Sequence, residues 1–201
     1  MKRGAIIFFL SILCLSAVAE GKTTNFTFGT EWTYCATFLN GHRYYFLAPE
    51  GYRIEDIDAR TGYATDGEVF LHAGYNLNPH WNLSFYIGYT GIGKFHNGIP
   101  MSLRATRYFG SDPANDRWFA FIDLGSGIAL KDEVSELLTA KAGGGYRISL
   151  SRITKLDLIG SIRFMHTRPD VMYYGEKINS EDIATVSGYI MSASIGIGLT
   201  F

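Results

Sequence analysis

Counted back from Phe201 in steps of two, the end of the chain reads Phe201, Leu199, Ile197, Ile195, Ala193, Met191 and Tyr189, while the residues between are Thr200, Gly198, Gly196, Ser194, Ser192 and Ile190. A strict period of two over this length specifies an extended strand with one face in an apolar medium and the other in a tight or wet one. The same alternation recurs through the chain. "TNFTFGTEWTYCATF" sets Phe26, Phe28, Trp32, Tyr34 and Phe38 against Asn25, Thr27, Glu31, Thr33 and Cys35, and "GEVFLHAGYNL" sets Val69, Leu71, Ala73 and Tyr75 against Glu68, Phe70, His72 and Gly74. "WNLSFYIGYT", "IPMSLRATRYF", "WFAFIDLGSGIAL", "LTAKAGGGYRISL" and "KLDLIGSIRFMH" complete a set of eight strands.

Each run matches the ~9–11 residues that cross a bilayer at a tilt, and an even number of antiparallel strands closes into a barrel without edges. The connectors alternate in length. "NPH", "GSDPANDR" and "SRIT" are short or turn-rich, Leu39 to Asp66 and Thr167 to Ala184 are long, and "GIGKFHNG" and "KDEVSEL" are intermediate. Tight turns on one side of a membrane and loops on the other produce that alternation. Abundant Tyr and Phe, frequent Gly, five Pro and few charges agree with strands that face something other than water.

The face opposite the apolar one decides the medium. In a soluble sandwich the solvent face is densely charged. Here it is Gly, Ser and Thr with a sparse set of ions and one imidazole: Glu31, His72, Arg104, Asp123, Lys141, Arg147, Asp157 and Arg163. Small residues and charges of both signs suit the narrow interior of an eight-stranded barrel, where side chains fill the lumen and must pair. Gly143 to Gly145 are expected to let a strand bend at the wall.

The start of the chain has Lys2 and Arg3, an apolar run from Ala5 to about Leu15, and Ala17-Val18-Ala19, the pattern of a secretory leader. It predicts residues 1–19 as a signal peptide, with mature chain 20–201 as one barrel domain beginning at Glu20. The apolar run is short for a membrane anchor, and bulky Leu13 before Cys14 disfavours lipidation. Only Cys35 survives processing, so an internal disulfide is excluded, and the inward position of Cys35 predicts an inert buried thiol.

A terminal strand ending on an outward aromatic, with Tyr189, Leu199 and Phe201 in matching positions, resembles the C-terminal insertion signal of Gram-negative outer-membrane barrels. With the leader and eight strands, the mature chain resembles the small barrels of the OmpA transmembrane domain, OmpX and OmpW kind. The resemblance implies an all-β, up-and-down transmembrane barrel in the outer membrane. It implies contact with outer-membrane lipid and lipopolysaccharide, delivery by the barrel-assembly machinery, and a monomeric state. It implies no cofactor and leaves the role open, since such barrels serve many.

Three comparisons bear on catalysis. Lipid A deacylase barrels carry His-x-Ser with a downstream Glu, but His166 here is followed by Thr167 and Arg168. Palmitoyltransferase barrels use a His with an Asp-Ser pair near the extracellular side, whereas Ser111 and Asp112 fall in an expected periplasmic turn. Omptin-type proteases need ten strands and acidic pairs, and Glu181-Asp182 reads as a solvated loop. His42, His72, His80, His96 and His166 lack metal-ligand spacing. A net charge of -1 gives no basic footprint for nucleic acid. The expectation is a non-enzymatic structural or surface-interaction protein, the alternatives being a diverged lipid A-modifying hydrolase and a narrow channel. Tyr44, Tyr45, Tyr52, Tyr173 and Tyr174, in the two loops flanking strands one and eight, form a candidate surface for an extracellular protein or glycan. The competing reading is that they pack the loops or anchor them at the interface.

Overall fold

The computed structural model describes residues 25–92, 96–110, 112, 114–130, 134–174 and 176–201. The expected signal peptide, its cleavage before Glu20 and Cys14 lie outside them. Eight strands close into an antiparallel barrel: β1 (Phe26–Leu47), β2 (Arg53–Asn78), β3 (Trp81–Ile92), β4 (His96–Tyr108), β5 (Arg117–Ala129), β6 (Val134–Ser149), β7 (Lys155–Pro169) and β10 (Ile183–Thr200). A two-stranded hairpin, β8 (Met172–Tyr173) with β9 (Glu176–Lys177), and a 3-10 turn at Ser180–Asp182 interrupt the last connection. Each strand pairs with its sequence neighbour in the ring, and β1 closes it on β10, where Trp32 faces Ile197 and Glu31 faces Gly198.

Alternation is realised as inside and outside. Along β5, Arg117, Phe119, Phe121 and Asp123 are buried while Trp118, Ala120, Ile122 and Leu124 are exposed. The exposed set continues around the wall through Trp32, Leu71, Phe85, Leu103, Ile162 and Ile195. A contiguous apolar belt of that extent has no place in water, whereas lipid solvates it without penalty. Among the described residues no helix is long and apolar enough to cross a membrane; strands do the crossing.

The barrel is lopsided. β1 and β2 run to 22 and 26 residues, at least twice the ~9–11 a tilted crossing needs. The stretch expected as a long connector, Leu39 to Asp66, is therefore mostly strand, turning over only between Leu47 and Arg53. Two features hide this from the sequence. A bulge between Thr37 and Leu39 shifts the register on both neighbouring strands and breaks the phase of the alternation. Beyond it the strands have left the apolar belt, so their polarity no longer alternates in the same way. β10 likewise begins at Ile183, ahead of Tyr189, and pairs with β1 up to Phe46. The upper parts of β2, β1 and β10 thus form a three-stranded ribbon that outruns the other five strands.

At the opposite end the start of β1 meets the residue that follows β10. Phe201 and Phe28 exchange two backbone hydrogen bonds of 2.8 and 3.1 Å, and their rings stack 5.8 Å apart. The short turns after β2, β4 and β6 lie at this end.

Candidate functional site: the lumen and the extended ribbon

The eight ionic and imidazole positions read from the sequence all lie buried inside the ring, placed there by inward parity on six strands, and the ions sort into three groups along the axis. Nearest the turns, Arg147 makes a two-pronged pair with Asp157, both bonds 2.6 Å, and its guanidinium lies over the Tyr108 ring. In the middle, Arg104 donates to Glu31 at 2.5 and 3.2 Å, to Asp123 at 3.0 Å and to the Tyr86 hydroxyl at 3.1 Å. The Tyr86 and Phe121 rings sandwich it, 3.9 and 4.2 Å from its Cζ. Towards the ribbon, Glu68 accepts from Lys141 at 2.5 Å, Arg163 at 2.9 Å and Thr90 at 3.0 Å. Arg163 continues to Asp66 at 3.1 Å and to Ser192 at 3.1 Å.

Glu68 and Asp66 complete the upper group, and neither stood among the candidates. Glu68 was visible on the inner face of its run; Asp66 fell in the stretch taken for a loop. Four cations, Arg104, Lys141, Arg147 and Arg163, thus meet five carboxylates, Glu31, Asp66, Glu68, Asp123 and Asp157, with Arg117 and Lys155 at the turn-side mouth. Charges this far from water persist only where each has its partner.

His72 stands apart from the ion pairs. It stacks on Tyr86 at 4.8 Å, and its Nδ1 is buried with no hydrogen-bond partner. It fits because Gly29 faces it: a Cβ there would lie 2.6 Å from Nε2. Gly145 also makes room, since a Cβ there would sit 2.7 Å from the Phe119 ring. A cavity of about 20 Å3 remains beside Glu31, His72, Ser84 and Arg104, room for roughly one water. On the ribbon side of the ions, Leu137, Met165 and Ile190 form an apolar cluster on the inner face of the neighbouring strands β6, β7 and β10. Cys35 is fully buried.

Of the tyrosines expected in two loops, Tyr44 and Tyr45 lie instead on β1, and the set divides. Tyr44 and Tyr173 pack on a cluster of Phe46, Val171 and Ile178, which seats the last connection on the inner face of the ribbon. The Tyr52 and Tyr173 hydroxyls bond at 2.7 Å, tying ribbon tip to loop. Tyr45 takes a hydrogen bond from Arg53 at 3.4 Å, and Tyr52 and Tyr174 are exposed, Tyr174 at 89 % and in the left-handed region at φ 47°. Burial and the neighbouring Asp56 push the Tyr44 hydroxyl's pKa up.

His166 lies on β7 opposite Tyr189 and Leu138, without a serine beside it. Among the described residues no group of three or more His, Cys, Asp or Glu is placed to hold a metal. Tyr189, Leu199 and Phe201 follow the outward parity of β10 and its end, and Tyr189 lies over Gly41.

A closed eight-stranded ring, apolar outside and ion-paired within, defines the class of small outer-membrane β-barrels. The solved structure of the outer membrane protein OprG from Pseudomonas aeruginosa shares the fold with a TM-score of 0.53 at 10% identity, over 90% of this chain and 98% of that one. Neisserial surface protein A (TM-score 0.45, 12% identity, 86% of this chain and 96% of that one) and the N-terminal β-barrel domain of Pseudomonas aeruginosa OprF (0.42, 15%, 89% and 98%) are more distant. No protein-family model and no curated protein matches the sequence.

Proposed function

We propose that this protein is a non-enzymatic, monomeric barrel of the Gram-negative outer membrane, exported by cleavage of residues 1–19, whose ribbon presents an interaction surface to the exterior. The observation that carries the reading is the free edge of β2. β3 pairs with β2 only from Glu68 downward, so from Arg53 to Gly67 β2 is paired on one side by β1 and, among the described residues, no strand pairs with its other edge. A long edge with unpaired N–H and C=O groups is a template for an added strand. It stands beside exposed Ile57, Tyr63 and Tyr52, which supply apolar and aromatic contact area. The ion-paired lumen supports the same reading, because the cavity beside Glu31 and Arg104 has room for only about one water.

Adhesion of cells carrying the protein to immobilised extracellular proteins or glycans tests the surface role. Ala59→Pro and Arg60→Pro are made separately. Adjacent residues point their N–H groups to opposite sides of a strand, so one of the two blocks the free edge and the other strikes the β1 ladder. Loss of adhesion with one variant, its barrel folded, is the expected result. Cells that adhere no better than those lacking the protein would sink the surface role. Reconstituted protein is expected to carry no steady ion current; an open-pore current would instead establish the channel.

The side of the membrane is tested by thiol labelling on intact cells. A cysteine at Glu50 or Tyr174 is expected to react with an impermeant reagent and one at Ala114 is not, with native Cys35 silent because it is buried. Removing Phe201, or Phe201→Ala, is expected to lower insertion and leave protease-sensitive chain, as the terminal aromatic is the proposed recognition element.

A further inference from the structure

Among the described residues, Arg107 is the one charged side chain on the apolar belt. It is exposed on β4, on the same face as Ala105 and Leu103, and its partners across the sheet are Trp81 on β3 and Ala120 on β5. A lipid-facing arginine is costly at the bilayer midplane and nearly free at the interface. Arg107 is at the interface, two residues from the end of the wall at exposed Phe109 and level with Trp81. Its guanidinium carbon lies 5.7 Å from the ring centroid of Trp81 and 5.7 Å from that of Phe109. No carboxylate among the described residues pairs with it, in contrast to every cation of the central lumen.

Beside this guanidinium opens a recess of about 370 Å3 bounded by Asn78, His80, Trp81, Arg107, Phe109 and Gly110. Its walls are held from several directions. The side-chain Oδ1 of Asn78 accepts the backbone N–H groups of His80 and Trp81, each at 2.9 Å. From the lumen side Arg117 donates to the Pro79 carbonyl at 2.7 Å, and the Tyr108 N–H donates to the His80 carbonyl at 2.7 Å. Gly110, at φ 115°, turns the chain away after Phe109 in a conformation that side-chain-bearing residues resist.

A guanidinium offers five N–H donors in a fork that matches the oxygens of a phosphate. Aromatic residues flanking it at headgroup depth complete an amphipathic seat. Ala105 and Ala120 beside it leave a shallow step in the wall for an acyl chain. We propose that Arg107, with Trp81 and Phe109 around it, is a binding site on the outer wall for the phosphodiester group of a glycerophospholipid in the periplasmic leaflet. The leaflet follows from the orientation given under Proposed function; the phosphate chemistry does not depend on it.

The test is native mass spectrometry of protein released from nanodiscs of phosphatidylethanolamine and phosphatidylglycerol into detergent. Wild-type protein is expected to keep a phospholipid adduct, and Arg107→Gln to keep it about tenfold less well, the size of one lost charge-assisted contact. Arg107→Lys, which keeps charge but loses the fork, is expected to fall between. Heat-shifted gel mobility verifies that each variant is folded, as an outward residue permits. Equal retention by Arg107→Gln would overturn the site, and so would equal retention of diacylglycerol, which has no phosphate. Displacement by excess inorganic phosphate would reassign it to a free ion and overturn the lipid occupant. Because retention is read in detergent, where orientation has no meaning, its failure is distinct from a reversed result at Ala114 in the labelling experiment.

Discussion

Two arginine–glutamate pairs in this molecule are alike in chemistry and opposite in setting. Arg104 and Glu31 meet in the lumen with 4 % of each side chain exposed, and Arg43 and Glu55 meet at 3.0 Å on the ribbon with 59 % and 48 % exposed. In water, a broken pair is rehydrated on both sides. In the lumen a broken pair leaves an ion with nowhere to go. The difference divides the protein into a barrel whose polar interior must be complete, and a ribbon whose charges are exchangeable and whose order comes from a small apolar cluster.

The strongest way to break that division is Arg104→Met. It orphans Glu31 and Asp123 together and removes the cation from between Tyr86 and Phe121, so a loss of about 3–5 kcal/mol is expected. Urea titration of the heat-shifted gel band measures it. Adding Glu31→Gln and Asp123→Asn to that variant is expected to recover part of the loss, since neutral side chains cost less to bury unpaired. A stability loss no larger than that from a surface pair would show that water reaches the lumen, and would favour the channel.

Phe46→Ala ranks next. Phe46 is buried against Val171 and Ile178, with Tyr173 edge-on at 5.7 Å, and truncating a buried Phe costs roughly 3–5 kcal/mol. The expected consequence is local: the ribbon and last connection become open to external protease while the urea midpoint of the barrel is unchanged. A barrel midpoint that falls as far as in Arg104→Met would merge the two regions into one cooperative unit.

The same division explains what could be read in advance. Within the belt, lipid outside and packing inside impose a period of two so strict that strand number, inward ions and the buried Cys35 could be assigned from residue order. Above the belt both faces of the ribbon meet water or a local cluster, and "NGHRYYFLAPEGYRIEDIDAR" has the composition of a loop. Asp66 was lost with it, although it is the ribbon-side partner of Arg163. Glu68 shows a second limit: parity places a residue in the lumen, but only the shear of the barrel decides that a β2 carboxylate reaches both Lys141 on β6 and Arg163 on β7. Arg107 was legible as an outward ion by the same parity, yet its two rings come from the strand register and the turn at Gly110.

Arg43→Met calibrates the exposed side of the comparison. Removing a half-exposed partner is expected to change stability by about 0–1 kcal/mol, and the effect should shrink further in high salt. If it approached the Arg104→Met value, the ribbon would be desolvated in the native protein, through a bound partner or the lipid surface.

The smallest effect sharpens the ribbon itself. Its tip is joined to the last connection by the 2.7 Å bond between the Tyr52 and Tyr173 hydroxyls, and that bond pushes the ionisation of Tyr173 above the ordinary tyrosine range. A raised value in the folded protein means that the contact contributes fully below the unfolded value of about 10 and is lost as pH rises through the folded one. Tyr52→Phe removes the main cause, so the Cζ resonance of labelled Tyr173 should titrate at lower pH in the variant than in the wild type. Protease nicking of the last connection should rise only slightly at neutral pH, because the Phe46 cluster still holds it. Identical Tyr173 titrations in both proteins would mean that the tip and the loop move apart in solution, leaving the free β2 edge without the support from above that the Tyr52–Tyr173 contact provides.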